Sequence, residues 1–191
     1  MQRPSFFQQL GVLCLVLVLA VSQAFAATSL QYTLPGTPVT FADSGGTVVM
    51  AFSAKASLSG QVGALYDKTA GAQPSLWQFQ CQISLNGTHT PGATLEYYLV
   101  TSQDGTTVDG GVSLNAALAS ADKRRNLIPM GVLVVDQTTN LTSMYATFRN
   151  VYIPTRYFTL AFWNATAIST ETSTTKHKCV GTPMPPQMQA N

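Results

Sequence analysis

Apolar and polar residues alternate one by one through most of the chain beyond residue 30, the period of a strand with one buried face. The clearest run is Gln78–Leu85, in which Phe79, Cys81, Ile83 and Leu85 share one side while Gln78, Gln80 and Gln82 share the other. Val48, Met50, Phe52 and Ala54 repeat the pattern after the turn-forming Asp43-Ser44-Gly45-Gly46, which puts Lys55 on the wetter side. Met144, Ala146 and Phe148 alternate with Tyr145, Thr147 and Arg149, and Phe158, Leu160 and Phe162 with Thr159, Ala161 and Trp163. Leu95–Thr101 and Met130–Val135 are apolar enough to be central strands. Weaker strands are expected at Leu30–Leu34, Val62–Tyr66 and Thr174–Val180, for about nine in all.

A helix is suggested only within Leu114–Arg125, where Leu114, Ala117, Leu118 and Ala121 fall at helical spacing; Asn115-Ala116-Ala117 fits a turn equally well. One short helix cannot supply the crossovers that a parallel sheet requires. The expected fold is therefore all-β, an antiparallel β-sandwich with at most one short helix in a crossover loop. It is of jelly-roll type if the long 102–126 connection crosses between sheets. Pro183, Pro185 and Pro186 predict an extended, unpaired tail from Gly181 onward, either disordered or an arm laid on a neighbouring subunit. At 191 residues one domain is the default, and the layout is a leader at 1–26, the sandwich at 27–182 and the tail at 183–191.

Charged residues are only 9 % of the chain, against roughly 25 % in ordinary soluble proteins, so hydroxyl groups of Ser and Thr must meet much of the water. The net charge of +2 is too small for repeated phosphate contacts, which excludes nucleic acid as the expected partner.

Residues 1–26 differ from all that follows. Arg3 supplies a positive start, Leu10–Val21 an apolar run, and Ala24-Phe25-Ala26 the small residues read by a signal peptidase. The run is short against the roughly 20 residues of a bilayer span, so cleavage after Ala26 is expected, with an uncleaved anchor as the alternative. Membrane contact is expected only if this segment is retained. Cys14 lies inside it, which leaves Cys81 and Cys179 as a possible disulfide in an oxidising compartment or as two buried thiols in a reducing one.

The chemistry available is thin. His89 sits in a turn-rich loop and is expected to be solvated, while His177 lies between Lys176 and Lys178 without the further ligands a metal needs. Asp104 and Asp109 lie in glycine-rich surroundings but miss the calcium-loop pattern at its third position and at its last, where Asn115 replaces the bidentate glutamate. Both are expected to open β-turns in which Gly105 and Gly110 take positive φ. No nucleophile elbow, phosphate loop or dinucleotide fingerprint occurs, so no catalytic residue, cofactor or metal site is assigned. Three glycosylation sequons begin at Asn86, Asn140 and Asn164 and matter only in a eukaryotic secretory host. Asp122-Lys123-Arg124-Arg125 is the one dense charge cluster.

The stretch from Thr94 to Asp136 joins Leu95-Glu96-Tyr97-Tyr98, Asp104-Gly105-Thr106, Asp122-Lys123-Arg124-Arg125-Asn126-Leu127 and Gly131-Val132-Leu133-Val134-Val135-Asp136. It resembles small all-β structural proteins of tailed bacteriophage particles, and the likeness continues into Ile153-Pro154-Thr155-Arg156-Tyr157 and Trp163-Asn164-Ala165-Thr166. That resemblance implies a non-enzymatic virion protein, a head decoration or accessory component, that contacts itself or other virion proteins as a homo-oligomer. It also implies a packing or subunit-contact role for Lys123, Arg124 and Arg125. The alternative is an exported bacterial β-sandwich, secreted or periplasmic, that binds carbohydrate or another surface ligand through Trp77, Trp163, Tyr97 or Tyr98. The two readings place the chain in different compartments.

Overall fold

The computed structural model describes residues 36–68, 73–118, 120–136 and 142–185. The strand expected at Leu30–Leu34, the leader and the end of the tail lie outside them. Eleven strands are present: β1 (Val39–Ala42), β2 (Val48–Val49), β3 (Ser59–Val62), β4 (Tyr66–Asp67), β5 (Leu76–Ser84), β6 (Thr94–Ser102), β7 (Ala117–Leu118), β8 (Ile128–Val134), β9 (Ser143–Tyr152), β10 (Tyr157–Asn164) and β11 (Lys178–Pro183).

They form two sheets, β2-β1-β11-β5-β9 and β7-β3-β10-β6-β8, with β4 added to the start of β10. Setting aside the two-residue strands β2, β4 and β7, the remaining eight strands fall into the orders first-eighth-third-sixth and second-seventh-fourth-fifth. That is the jelly-roll order, two interlocked Greek keys that build a double sheet. Every pairing is antiparallel except β1 with β2.

The sandwich core follows from the alternation. Phe41 of β1, Trp77, Phe79, Cys81 and Ile83 of β5, and Phe158, Leu160 and Phe162 of β10 are all fully buried. Phe158 lies at the centre, its ring 5.0 Å from Trp77, 5.5 Å from Tyr66 and 6.0 Å from Phe41, in edge-on or tilted contacts that suit aromatic quadrupoles. Cys81 and Cys179 face each other across β5 and β11 and are joined, with their sulfurs 2.04 Å apart.

The long connection after β6 behaves otherwise than expected. It does not cross between the sheets, because β6 and β8 are antiparallel neighbours in the same sheet. Residues 103–127 instead lie as a strap over the outer face of that sheet. Val108, Val112, Leu114, Leu118 and Leu127 pack there on Val62, Val100, Ala161 and Trp163 in a second apolar cluster. Among the described residues of Leu114–Arg125 no α-helix forms. Asn115 takes a positive φ of 46°, Ala117–Leu118 pairs with β3, and only Lys123–Asn126 turns, as a single 3₁₀ turn. The helical spacing of leucines and alanines reflects residues reaching one flat surface from an irregular path. Gly110 has a φ of 86°, and a Cβ there would stand 2.6 Å from Leu127, so the strap closes on its own end only with glycine at this position.

Other boundaries shift. Met50 and Phe52 are buried as the alternation requires, but the strand leading into them ends at Val49. Val62–Tyr66 spans the end of β3 and the start of β4, and Thr174–Val180 contributes only its last residues to β11. The tail is paired further than expected, since Gly181, Thr182 and Pro183 oppose Phe79, Gln78 and Trp77, and the Met184 N–H donates to the Leu76 carbonyl at 2.8 Å.

Candidate functional site

The strap ends where β8 begins, and a groove of about 430 Å³ opens at that corner between the 3₁₀ turn and the outer face of β6 and β8. Glu96 and Tyr98, two residues apart on β6, share that outer face, and Arg124 reaches down to them from the turn. The Arg124 guanidinium donates to the Glu96 carboxylate at 2.6 Å and lies 5.1 Å from the Trp163 ring centre. The Tyr98 hydroxyl donates to the same carboxylate. Burial, the bond to Glu96 and the Glu96 charge push the Tyr98 phenol up to about 12, against the opposing pull of Arg124. The carboxylate in this groove is already held by a cation and a phenol, an arrangement that anchors the strap.

The three basic residues separate in role. Lys123 donates to the Gly111 carbonyl at 3.0 Å and ties the strap to itself. Arg124 clamps the strap to the sheet. Arg125, its side chain 80 % exposed, meets only Asp122, at 3.3 Å among the described residues. Of the trio, Arg125 alone makes its side-chain contact within the turn itself.

The remaining candidates resolve individually. His89 is buried rather than solvated, its Nδ1 3.0 Å from the Gly87 carbonyl. His177 is buried with both nitrogens committed: Nδ1 accepts the Ser84 N–H at 3.3 Å and Nε2 donates to the Glu171 carbonyl at 2.9 Å, which fixes the tautomer. Asp104 accepts the N–H groups of Thr106 and Thr107 at 2.8 and 2.7 Å, and those two bonds hold its carboxyl well below the usual range. Asp109 accepts from the Thr101 hydroxyl, and Gly105 and Gly110 take the positive φ that the turn reading requires. Among the described residues no three His, Cys, Asp or Glu side chains gather as metal ligands.

Asn164 cannot present a sequon in this fold. It is buried and its amide donates to the carbonyls of Lys55, Ala56 and Ile168 at 3.0, 3.2 and 2.7 Å. Asn86 is exposed, and Asn140 lies outside the described residues. The aromatic platforms fare likewise: Trp77, Tyr97 and Trp163 are buried, and only Tyr98 is part-exposed.

What sequence reasoning passed over is the side of the sandwich where β8 and β9 end the two sheets. The described residues include seven large hydrophobic side chains that are exposed, and five of them are here: Ile128 48 %, Val132 53 %, Val134 55 %, Tyr145 62 % and Tyr152 65 %. The signal existed, because the alternation that buries Met144 and Phe148 and half-buries Ala146 turns Tyr145 outward. Gly131 brings the two strands together, since a Cβ on it would lie 2.8 Å from the Phe148 ring. Among the described residues no helix is long and apolar enough to cross a membrane. No protein-family model matches the chain, and no curated protein matches it.

Proposed function

We propose that this protein is a non-enzymatic accessory structural protein of a tailed-phage particle, and that it acts through protein contacts made by the β8–β9 side. The observation that carries this is that exposed apolar side chains concentrate on the two edge strands of this side, Val132 and Val134 on the outer face of β8 and Tyr145 and Tyr152 on the outer face of β9. Exposed apolar side chains concentrated on the two strands that border one margin of a small domain point to a contact there. The groove beside it, with Arg125 at its rim, adds a cation that a partner's carboxylate can pair. Jelly rolls serve in viral capsids and in lectins, so the architecture fits this reading without selecting it. The carbohydrate-binding alternative is less well supported, because three of its four stacking platforms are inside the protein.

The Cys81–Cys179 bridge is compatible with particle assembly in a reducing cytoplasm, since a virion surface meets oxidising medium once released. The test is gradient sedimentation of native particles, with the chain identified by mass spectrometry. The chain should travel with the particle band, and Val132→Asp combined with Val134→Asp should leave a folded protein that stays at the top. Particle fractions that never contain the chain would overturn the proposal.

A further inference from the structure

A sandwich has four sheet edges, and here they are unequal. On one side, β2 and β7 are two residues long, and β2 lies parallel to its neighbour, so neither offers a template for a further strand. On the other side, β8 carries Pro129, which lacks an N–H, and a register shift opposite Tyr97 and Tyr98. All three are blunted in ways that proteins use to prevent edge pairing. β9 is bulged only beyond Phe148, where Arg149 and Asn150, the latter at a φ of 57°, interrupt the register before Val151. From Ser143 to Phe148 it runs in unbroken one-to-one register against β5, Ser143 opposite Ser84 through Phe148 opposite Phe79. This stretch contains neither proline nor a charged residue, and its far edge has no strand beside it among the described residues.

We infer that the β9 edge pairs antiparallel with β9 of a second copy of this chain, joining the two five-stranded sheets into one continuous sheet across a two-fold axis. The inference rests on the reading of the β8–β9 side as a contact surface and names the occupant of its β9 half. The sequence of β9 is self-complementary for this. A two-fold axis at Ala146 sets Tyr145 beside Thr147 of the second copy, an aromatic with a β-branched residue, a pairing that stabilises antiparallel sheets. It sets Met144 beside Phe148 on the core face and Arg149 opposite Ser143, so that the lone cation of the strand never meets its own copy. The charge pattern therefore permits self-pairing.

Tyr145, about two-thirds exposed, flanks the seam from each copy and lies against Thr147 of the second copy across it. The paired backbone of Ser143–Phe148 carries the rest of the contact.

Sedimentation equilibrium of the purified full chain tests this, with Tyr145→Lys as the probe and Leu58→Lys, an exposed apolar site away from β9, as the control. Wild type should behave as a dimer. Tyr145→Lys should weaken dimerisation by about tenfold or more at unchanged circular dichroism, and Leu58→Lys should leave it as it was. A wild type that stays monomeric to on the order of 100 µM, a closed trimer or larger ring, or a dimer indifferent to Tyr145→Lys would each overturn the inference. A monomer that still travels with particles overturns self-pairing and leaves the particle reading intact. A Tyr145-dependent dimer absent from particles supports self-pairing and overturns the particle reading.

Discussion

The molecule has two apolar clusters that share strands and differ in what closes them. β10 supplies Phe158, Leu160 and Phe162 to the space between the sheets and, from its other face, Ala161 and Trp163 to the cluster under the strap. The inner cluster is closed by two sheets whose hydrogen bonds hold the aromatic residues from both sides. The outer one is closed on one side by a sheet and on the other by a strap with only the two-residue β7, a 3₁₀ turn and a few anchors. Those anchors include Asp109 N–H to the Thr101 carbonyl at 2.9 Å, Asn115 N–H to the Gly63 carbonyl at 3.0 Å, and Arg124 to Glu96. The lesson is that equal burial does not mean equal stability. The inner cluster should open only with global unfolding, the outer one by local release of the strap.

Phe158→Ala should break the inner cluster most severely, costing about 3–5 kcal/mol in denaturant titration, because four aromatic neighbours surround the cavity it leaves. Joint replacement of Cys81 and Cys179 by alanine should cost about 2–5 kcal/mol by the same measurement, with amide exchange in the strap unchanged relative to global opening. Arg124→Ala should cost about 1–2 kcal/mol, from a partly buried ion pair and the stacking on Trp163. Its amide-exchange signature should be confined to residues 103–127. Exchange rising equally in β5 and β10 would erase the distinction between the clusters.

The smallest effect is a titration. Tyr98 should ionise near 12 rather than at the usual value of about 10. Because its folded value is raised, the stabilisation it lends the strap is complete below about pH 10 and is lost as pH climbs through 12. Ultraviolet absorbance should show Arg124→Ala moving it further up and Glu96→Gln moving it down. A Tyr98 midpoint near 10 would mean that the strap does not cover this corner in solution.

The inner cluster was legible because a strand with one wet face writes its burial into every second residue, as Phe79, Cys81, Ile83 and Leu85 do. The outer cluster was not. A strap has no period, so Val108, Val112, Leu114, Leu118 and Leu127 are spaced by the route of the chain over the sheet and imitate a helix in part. Trp163 reads as lying on the face opposite Phe158, Leu160 and Phe162, but its burial does not, because alternation gives parity and says nothing of what covers the second face. The apolar β8–β9 side was half legible. Tyr145 reads as outward-facing, whereas the adjacency of β8 and β9 depends on a topology that single runs do not encode.

β11 lies between β1 and β5, so the last strand of the domain is the keystone of a sheet whose other members are made much earlier. A chain emerging from a ribosome holds that sheet as two unjoined pieces, β1 with β2 and β5 with β9, until Lys178–Pro183 has been released and can slot into the gap. The five-stranded sheet therefore closes only once its last strand is available, and a truncation ahead of Lys178 removes the seam that makes one sheet out of two halves.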